Sequence, residues 1–111
     1  MLRDILSGFV KIHILHHAGQ DPVYGLWLIE ELGRHGYTIS PGTLYPTLHS
    51  LERAGYLASQ KRVVEGRQRR YYTLTPAGEV ALAEARVRLA ELVAEVLEIQ
   101  ARNLDKEPEH Q

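Results

Sequence analysis

The sequence predicts a mainly α-helical chain with a small β-hairpin, arranged as a winged helix-turn-helix and followed by one long helix. Three observations predict this fold class. Apolar residues recur at helical intervals in four segments, an arginine-rich stretch of strand-like composition precedes the last of them, and a short glycine-containing turn separates the second and third. We therefore expect a winged helix-turn-helix domain over residues 1–75, a terminal dimerisation helix over 76–104 and a frayed tail over 105–111.

The first two helices are predicted from apolar spacing and from capping residues. Apolar side chains recur at helical intervals through residues 2–18, which predicts the first helix there. Asp21 followed by Pro22 is typical of a helix start, because aspartate caps the first turn and proline suits the first helical position. The second helix is therefore predicted to begin at Pro22 and to end near His35 or Gly36.

The third helix is predicted from an unusual proline spacing. Ser40 can cap it and Pro41 suits its first position, where a missing N–H would have no partner anyway. Pro46 removes one hydrogen bond and stiffens the first turns. A short, rigid helix over about residues 41–54 follows, with a line of leucines as its buried face.

Residues from about 56 to 74 are predicted to form the hairpin that makes the wing. Two strand-like stretches, 56–63 and 68–74, are joined around Val64-Glu65-Gly66-Arg67, where Gly66 supplies the positive φ that a hairpin turn tends to need. Basic residues concentrate near the tip, whereas Tyr72 and Leu74 lie near the base. The hairpin is therefore expected to be anchored at its base and exposed at its tip.

The last helix begins after a Thr75-Pro76 cap and carries two apolar stripes. A helix with one apolar side packs on its own domain, whereas a helix with two needs a second surface, and a second copy of the chain is the simplest one. We therefore expect a homodimer, and the sequence leaves open which stripe faces the partner. The candidate interface consists of Phe9 and one stripe, Leu82, Ala85, Leu89, Leu92, Val96 and Ile99; the other stripe is Val80, Ala83, Val87, Ala90, Ala94 and Leu97.

The overall charge conceals a basic segment. The 111 residues carry a net charge of -1, but the stretch from Arg53 to Tyr71 has a local balance of +5, and Glu79 to Gln111 has -4. A local basic patch is what nucleic-acid binding requires. The chain contains no cysteine, which excludes disulfides and thiolate zinc sites. It also lacks a membrane-length apolar run and a signal-peptide layout, so we expect a cytoplasmic protein without a membrane partner.

Three motifs resemble those of the PadR family of bacterial transcriptional regulators. They are Tyr24-Gly25-Leu26-Trp27-Leu28-Ile29, the stretch from Pro41 to Gly55 beginning Pro-Gly-Thr-Leu-Tyr-Pro, and the block from Gly66 to Gly78 containing Tyr71-Tyr72-Thr73-Leu74-Thr75. The resemblance covers about residues 5–100 and is closest to the small members with a single C-terminal helix. It implies a winged-helix, DNA-binding homodimer. We therefore expect a repressor that binds a palindromic operator in double-stranded DNA.

The candidate DNA contacts lie on the outer face of the third helix and on the wing. The outer face is expected to enter the major groove, where polar side chains reach base edges, while basic residues of the wing hold the flanking phosphates. The candidates are Gly42, Thr43, Tyr45, Pro46, His49, Ser50 and Arg53 on the helix, and Lys61, Arg67 and Arg69 on the wing. Arg70 alternates to the other face of its strand and is expected to pair with an acid instead.

Trp27, the only tryptophan, has two interpretations. It falls on the side of the second helix opposite the inward leucines, so it either packs beneath the terminal helix or forms a wall of a ligand pocket at the dimer interface. Some relatives in the resembled family bind planar drugs or phenolic acids between their helices. The resemblance therefore implies a small planar aromatic effector as a candidate ligand beside Trp27.

Two rival functions are weighed against DNA binding. The first is a winged-helix module that binds protein. The second is a small metal-dependent enzyme that uses His13 and His17, which stand one helical turn apart, as two imidazole ligands usually do. Neither an HExxH glutamate nor a cysteine completes such a site, and the polar residues do not converge as catalysis requires. We expect no catalytic residue, no metal and no cofactor.

Overall fold

The computed structural model describes residues 1–109, with side chains described through residue 97. Within that range the chain forms four helices and a three-stranded antiparallel sheet, which confirms the predicted fold class. The elements are α1 (Leu2–Ala18), β1 (Val23–Tyr24), α2 (Gly25–Arg34), α3 (Pro41–Arg53), β2 (Leu57–Val64), β3 (Arg67–Leu74) and α4 (Pro76–Glu109).

The core lies where α1, α2 and α3 meet the base of the sheet. Leucines spaced along α2 and α3 are fully buried there, which confirms the predicted inner faces of both helices. Burying each such side chain contributes about 1.5–3 kcal/mol. The fully buried side chains are Ile14, Leu28, Leu32, Leu44, Leu48, Leu57 and Tyr72. This core holds α3 by one face and leaves the other face outside.

The predicted start of α2 at Pro22 is wrong. Val23 and Tyr24 instead form a short edge strand, paired with Tyr72 and Tyr71 of β3, and α2 begins at Gly25. Antiparallel pairing satisfies the backbone of these two residues in extended form and leaves no helical turn there. The sheet therefore has the order β1-β3-β2, with a third strand in addition to the predicted wing.

The predicted start of α3 is confirmed. Ser40 has extended angles (φ -88°, ψ 159°), and its carbonyl accepts the N–H of Leu44 at 2.9 Å. The helix runs through Pro46 without a break and ends at Arg53, one residue before the expected end. Six residues, 35–40, connect α2 to α3 in this helix-turn-helix.

The wing is a regular hairpin. Its strands pair from Leu57 opposite Leu74 to Val64 opposite Arg67, which leaves a two-residue turn. Both turn residues have positive φ, 52° at Glu65 and 77° at Gly66. Two such residues match the tight hairpin turn whose twist suits the flanking strands. The predicted role of Gly66 is confirmed.

The terminal helix starts as predicted and ends later. Thr75 caps it, with the Gly78 N–H donating to the Thr75 hydroxyl at 3.0 Å. Its 34 residues make it about 51 Å long. The helix continues through Glu109, past the predicted end at residue 104 and through the first residues of the predicted tail. Residues 110 and 111 lie outside the described range, within which no helix is apolar enough to cross a membrane.

Candidate nucleic-acid interface

The outer face of α3 is exposed to solvent. Leu44, Leu48 and Leu51 anchor the helix in the core at 6% exposure or less. Every candidate contact predicted on this helix is exposed: Gly42, Thr43, Tyr45, Pro46, His49, Ser50 and Arg53. A helix held by one apolar line and bare on the other side has the geometry needed to enter a groove.

Local hydrogen bonds order the first turns of α3. The Ser40 hydroxyl donates to Thr43 Oγ1 at 3.4 Å, and Thr47 Oγ1 donates to the Thr43 carbonyl at 2.8 Å. The second bond lies in the same helical turn as Pro46, which has no backbone N–H to donate. Because Thr43 Oγ1 accepts from Ser40, its own proton is directed elsewhere and can donate to a base or phosphate.

Tyr45 connects α3 to the start of α2. Its phenol ring lies so close to Gly25 that a Cβ at that position would overlap it. The ring is nevertheless 40% exposed. Tyr45 therefore has a packing role in addition to the DNA contact predicted for it, and Gly25 is needed for that close approach.

The two faces of the wing carry different basic residues. Strand alternation places Lys61 and Arg70 on the face of Ser59, which is also the face bonded to α3. Arg67 follows the turn at the tip, and Lys61 and Arg67 are both exposed. Among the predicted wing contacts, Lys61 and Arg67 are therefore the two side chains most open to a ligand.

Arg69 lies on the opposite face of the wing and is held there by aromatic rings. Its guanidinium stands 4.4 Å from the centre of the Tyr24 ring. A hydrogen bond with Tyr71 raises the pKa of Arg69 above its usual value. The adjacent Arg62 lies 5.0 Å from the centre of the Tyr71 ring on the same face. The structure thus separates Arg69 from Lys61, with which the sequence grouped it.

A three-residue chain of hydrogen bonds links the wing to α3. Arg70 donates to Ser59 Oγ at 2.9 Å, and Ser59 Oγ donates to Glu52 Oε2 at 2.6 Å. Arg70 therefore reaches an acid through Ser59 instead of pairing with it directly. Sequence reasoning missed Glu52 and Ser59, because their approach depends on the chain reversing between the end of α3 and the start of β2.

The predicted dimer residues fall into two groups along α4. Leu82 is only 4% exposed and belongs to the protomer's own core, and Ala85 and Leu89 are half-buried nearby. Farther along, Leu92 and Val96 are 50% and 52% exposed. The side chain of Ile99 lies outside the described part of the helix.

An apolar groove of about 390 Å³ lies between α1 and α4. Phe9, another predicted interface residue, lines it together with Ile12, Tyr37, Leu82 and Leu89. Exposed apolar side chains of α1 lead away from it, including Leu2, Ile5 and Leu6. A contiguous apolar surface of this kind is typical of an interaction face.

Trp27 lies away from that groove. It is half-buried between α1 and α2, with its ring edge-on to the His17 ring at 5.3 Å between centres. It also lines a separate cleft of about 410 Å³ with Val23, Tyr24 and Glu31. The cleft is of ligand size, and its walls come from α1, β1 and α2.

The two histidines of α1 acquire a third neighbour in the fold. His35, which follows the last residue of α2, stacks on His13 with 5.0 Å between ring centres. The sequence considered only His13 and His17, because His35 is 18 residues or more away along the chain. The packing of the end of α2 against α1 brings His35 there, and the spacing of residues in the sequence did not indicate it.

Comparisons with known proteins agree with this geometry. The family model described as "Transcriptional regulator PadR-like family" matches residues 14–84. The transcriptional regulator Rv3488 of Mycobacterium tuberculosis is 57% identical over 96 residues, which cover 86% of this chain and 90% of that protein.

Solved structures show the same fold. A Streptococcus mutans protein superposes with a TM-score of 0.80 at 28% identity, covering 86% of this chain and 89% of its own. A PadR-like regulator of Bacillus cereus superposes with a TM-score of 0.81 at 27% identity, covering 87% of this chain and 96% of its own. A PadR family regulator of Eggerthella lenta superposes with a TM-score of 0.76 at 30% identity, covering 90% of this chain and 88% of its own. The Mycobacterium tuberculosis relative and the Bacillus cereus and Eggerthella lenta proteins are transcriptional regulators and not enzymes, as expected for this chain. The chain belongs to the PadR-like family of transcriptional regulators.

Proposed function

We propose that this regulator binds a palindromic operator in double-stranded DNA as a homodimer, with α3 in the major groove and the wing on the flanking backbone. The observation that carries the proposal is that every predicted contact on α3 is exposed, while the leucines on the other face of the helix are buried in the core. A winged helix docks on DNA with a rigid helix that is buried on one face and exposed on the other, beside a basic hairpin.

Base recognition and phosphate binding are assigned to different side chains. His49 and Ser50 stand on the open face of α3 and carry the donors and acceptors that base edges require. Lys61 and Arg67 are exposed on the wing and attract phosphates without regard to sequence. Arg53 at the end of α3 contributes a further phosphate contact in this arrangement, and Arg69 contributes through the outer face of the wing.

The homodimer is proposed to form along α4. Leu92 and Val96 are half exposed in the single chain although leucine and valine favour burial. Phe9 lies across the groove from Leu89, so the partner's helix would cover both. A two-fold dimer presents two α3 helices, and these fit half-sites about one DNA turn, or 34–36 Å, apart.

Repression is proposed as the direction of regulation. A dimer bound to an operator that overlaps a promoter blocks that promoter simply by occupying it. That mechanism requires only the DNA-contacting and pairing surfaces assigned above. In a purified transcription reaction we expect transcript to fall as the protein saturates its operator, and a rise in transcript would contradict repression.

The salt dependence of DNA binding tests the proposal. If about eight phosphates are neutralised by the dimer, log affinity should fall against log salt with a slope near about -7. Lys61→Gln should make the slope shallower by about 2, because the dimer loses two phosphate contacts. Arg88→Gln is the control, because that side chain lies on α4 beside Glu84.

Two results would contradict a dimeric DNA clamp. One is a slope shallower than about -2, which corresponds to only two or so phosphate contacts. The other is equal affinity for a single half-site and for the palindrome. Both would favour the alternative of a winged helix that binds protein.

The cleft beside Trp27 is proposed as the site of a small planar aromatic effector. Its volume of about 410 Å³ and its Trp27 and Tyr24 rings suit a flat aromatic ligand, and Asp21 and Glu31 on its walls suit polar groups on that ligand. Such a compound should change Trp27 emission saturably and shift operator affinity by the factor that the operator exerts on the compound. A Trp27→Ala protein that keeps the full operator response would remove the cleft as the effector site.

A further inference from the structure

Three imidazole rings converge where the end of α2 meets α1. His13 and His17 lie one helical turn apart with their rings nearly parallel, 6.3 Å between centres and 13° between planes. His35 stacks on His13 from the other helix, with 5.0 Å between centres. One potential ligand atom from each of the three residues lies within 4.8 Å of the others.

We infer that His13, His17 and His35 form a binding site for one divalent transition metal ion of the zinc class. Three imidazole nitrogens with a water in the fourth position make a tetrahedral set that Zn²⁺ accepts. Imidazole also suits cobalt, nickel and copper, whereas magnesium and calcium require oxygen ligands. The inference concerns metal binding itself and is independent of the proposed binding to DNA.

The three rings need only a small closure to surround an ion. Zn–N bonds of about 2.0–2.1 Å place two nitrogens of a tetrahedral set about 3.4 Å apart. The observed limit of 4.8 Å is therefore within reach of side-chain rotation. The His35 side chain is 47% exposed, which lets it rotate and lets an ion approach from solvent.

The surroundings favour the neutral rings that metal binding requires. Burial, followed by the nearby His35, His17 and His16, lowers the pKa of His13, while Glu31 opposes this weakly. Burial also lowers the pKa of His17, against the attraction of Glu31. Neutral imidazoles offer a lone pair to the ion without first losing a proton.

Glu31 acts as a positioning residue behind the site. Its Oε2 lies 3.0 Å from His35 Nε2 and 3.6 Å from His17 Nε2, and its side chain is only 14% exposed. A carboxylate that holds one ring nitrogen orients the other toward a metal. The hydrogen bond from His35 lowers the pKa of Glu31, so its negative charge remains to offset the ion.

The same contacts also fit a metal-free ion pair. In that case Glu31 would bind protonated His35, and His13 would only stack. His13 is the residue on which the two arrangements differ: its ring stacks on His17 and His35 and meets Tyr37 edge-on, and only in the metal site does it also act as a ligand. The two arrangements respond differently to removal of His13.

Co²⁺ titration of the purified full chain tests the site. Bound Co²⁺ should quench the single tryptophan, because the Trp27 ring centre is 5.3 Å from the His17 ring. Saturation at one ion per protomer, with visible absorption typical of four-coordinate Co²⁺, is the expected result. Zn²⁺ added in excess should displace the cobalt and restore the emission.

Variants assign the ligands. His13→Gln and His35→Gln should each weaken Co²⁺ binding by more than about 10-fold, and Glu31→Gln should weaken it by about 10-fold. His16→Gln is the matched control, because His16 neighbours the site on α1 but belongs to the pair with Arg86. The His16→Gln variant should bind Co²⁺ with the same affinity as the unaltered chain.

Thermal unfolding provides a second measurement of metal binding in case one variant folds poorly. Zn²⁺ should raise the unfolding temperature of the unaltered chain and of His16→Gln, but not that of His35→Gln, whose exposed position tolerates replacement. Equal Co²⁺ affinity in all of the variants, or no saturable binding to the unaltered chain, would overturn the inference.

Discussion

Ser59 donates a 2.6 Å hydrogen bond to Glu52, and this contact ties the first strand of the wing to the last turn of α3. The two residues are seven apart in sequence and come from different elements. Because we propose that α3 enters the DNA groove and that the wing contacts the DNA backbone, this bond should help to fix the angle between α3 and the wing.

Replacing Ser59 with alanine should therefore loosen the wing. The loss of one hydrogen bond to a charged group costs about 1.5–3 kcal/mol of stability at most, and less at a partly exposed site. Operator affinity should fall without a change in base preference. Gln60→Ala, on the opposite face of β2, is the control for both measurements, and matching results for the two variants would show that the Ser59–Glu52 contact is not needed.

Two glycines of α2 should respond to alanine in opposite ways. Gly33 has nothing within 4 Å of an added Cβ, so Gly33→Ala should stabilise the helix by about 0.5–1 kcal/mol. Gly25→Ala would push a methyl group into the Tyr45 ring and should destabilise the protein. Denaturant unfolding of both variants checks the pair, and a neutral Gly25→Ala would mean that Tyr45 moves away at no cost.

The dimer proposal makes a prediction that separates association from folding. Leu92→Glu and Val96→Glu place charges at positions half exposed in the single chain, so they should yield folded monomers. Leu82→Glu should instead unfold the protomer, because that side chain is buried in its own core. Sedimentation with Glu91→Gln as control measures this, and a monomeric unaltered chain at micromolar concentration would refute the dimer.

Base contacts and phosphate contacts should separate by mutation. His49→Ala should relax preference at particular base pairs by about 1–3 kcal/mol, because a direct contact discriminates between bases. Lys61→Ala should weaken all sequences alike, because phosphates carry no sequence information. Competition binding with single-base operator variants distinguishes the two. Unchanged base preference in His49→Ala and in Thr43→Ala would leave DNA shape as the means of recognition.

Sequence patterns predicted those parts of the fold that depend on neighbours along the chain. Helical spacing and caps located α1, α3 and the start of α4, and Gly66 located the hairpin turn. The start of α2 was wrong because Val23 and Tyr24 pair with residues nearly 50 positions away. A strand of two residues has no detectable periodicity of its own.

The candidate site, like the fold, was predicted only where it depends on neighbours along the chain. Periodicity placed the outer face of α3 correctly in solvent, because its inner leucines repeat at helical intervals. It did not reveal that Arg69 stacks on Tyr24, or that His35 reaches His13. Both contacts join separate elements, so they depend on how β1 and α2 dock and not on local pattern.

Selection of bound fragments from random DNA tests the central claim most directly. With the unaltered chain, the account predicts enrichment of a two-fold sequence whose half-sites lie about 34–36 Å apart along the helix axis. With His49→Ala, preference should weaken at the same position in both half-sites. Recovery of no common sequence, or of an asymmetric one unaffected by His49→Ala, would contradict a dimer that reads DNA through α3.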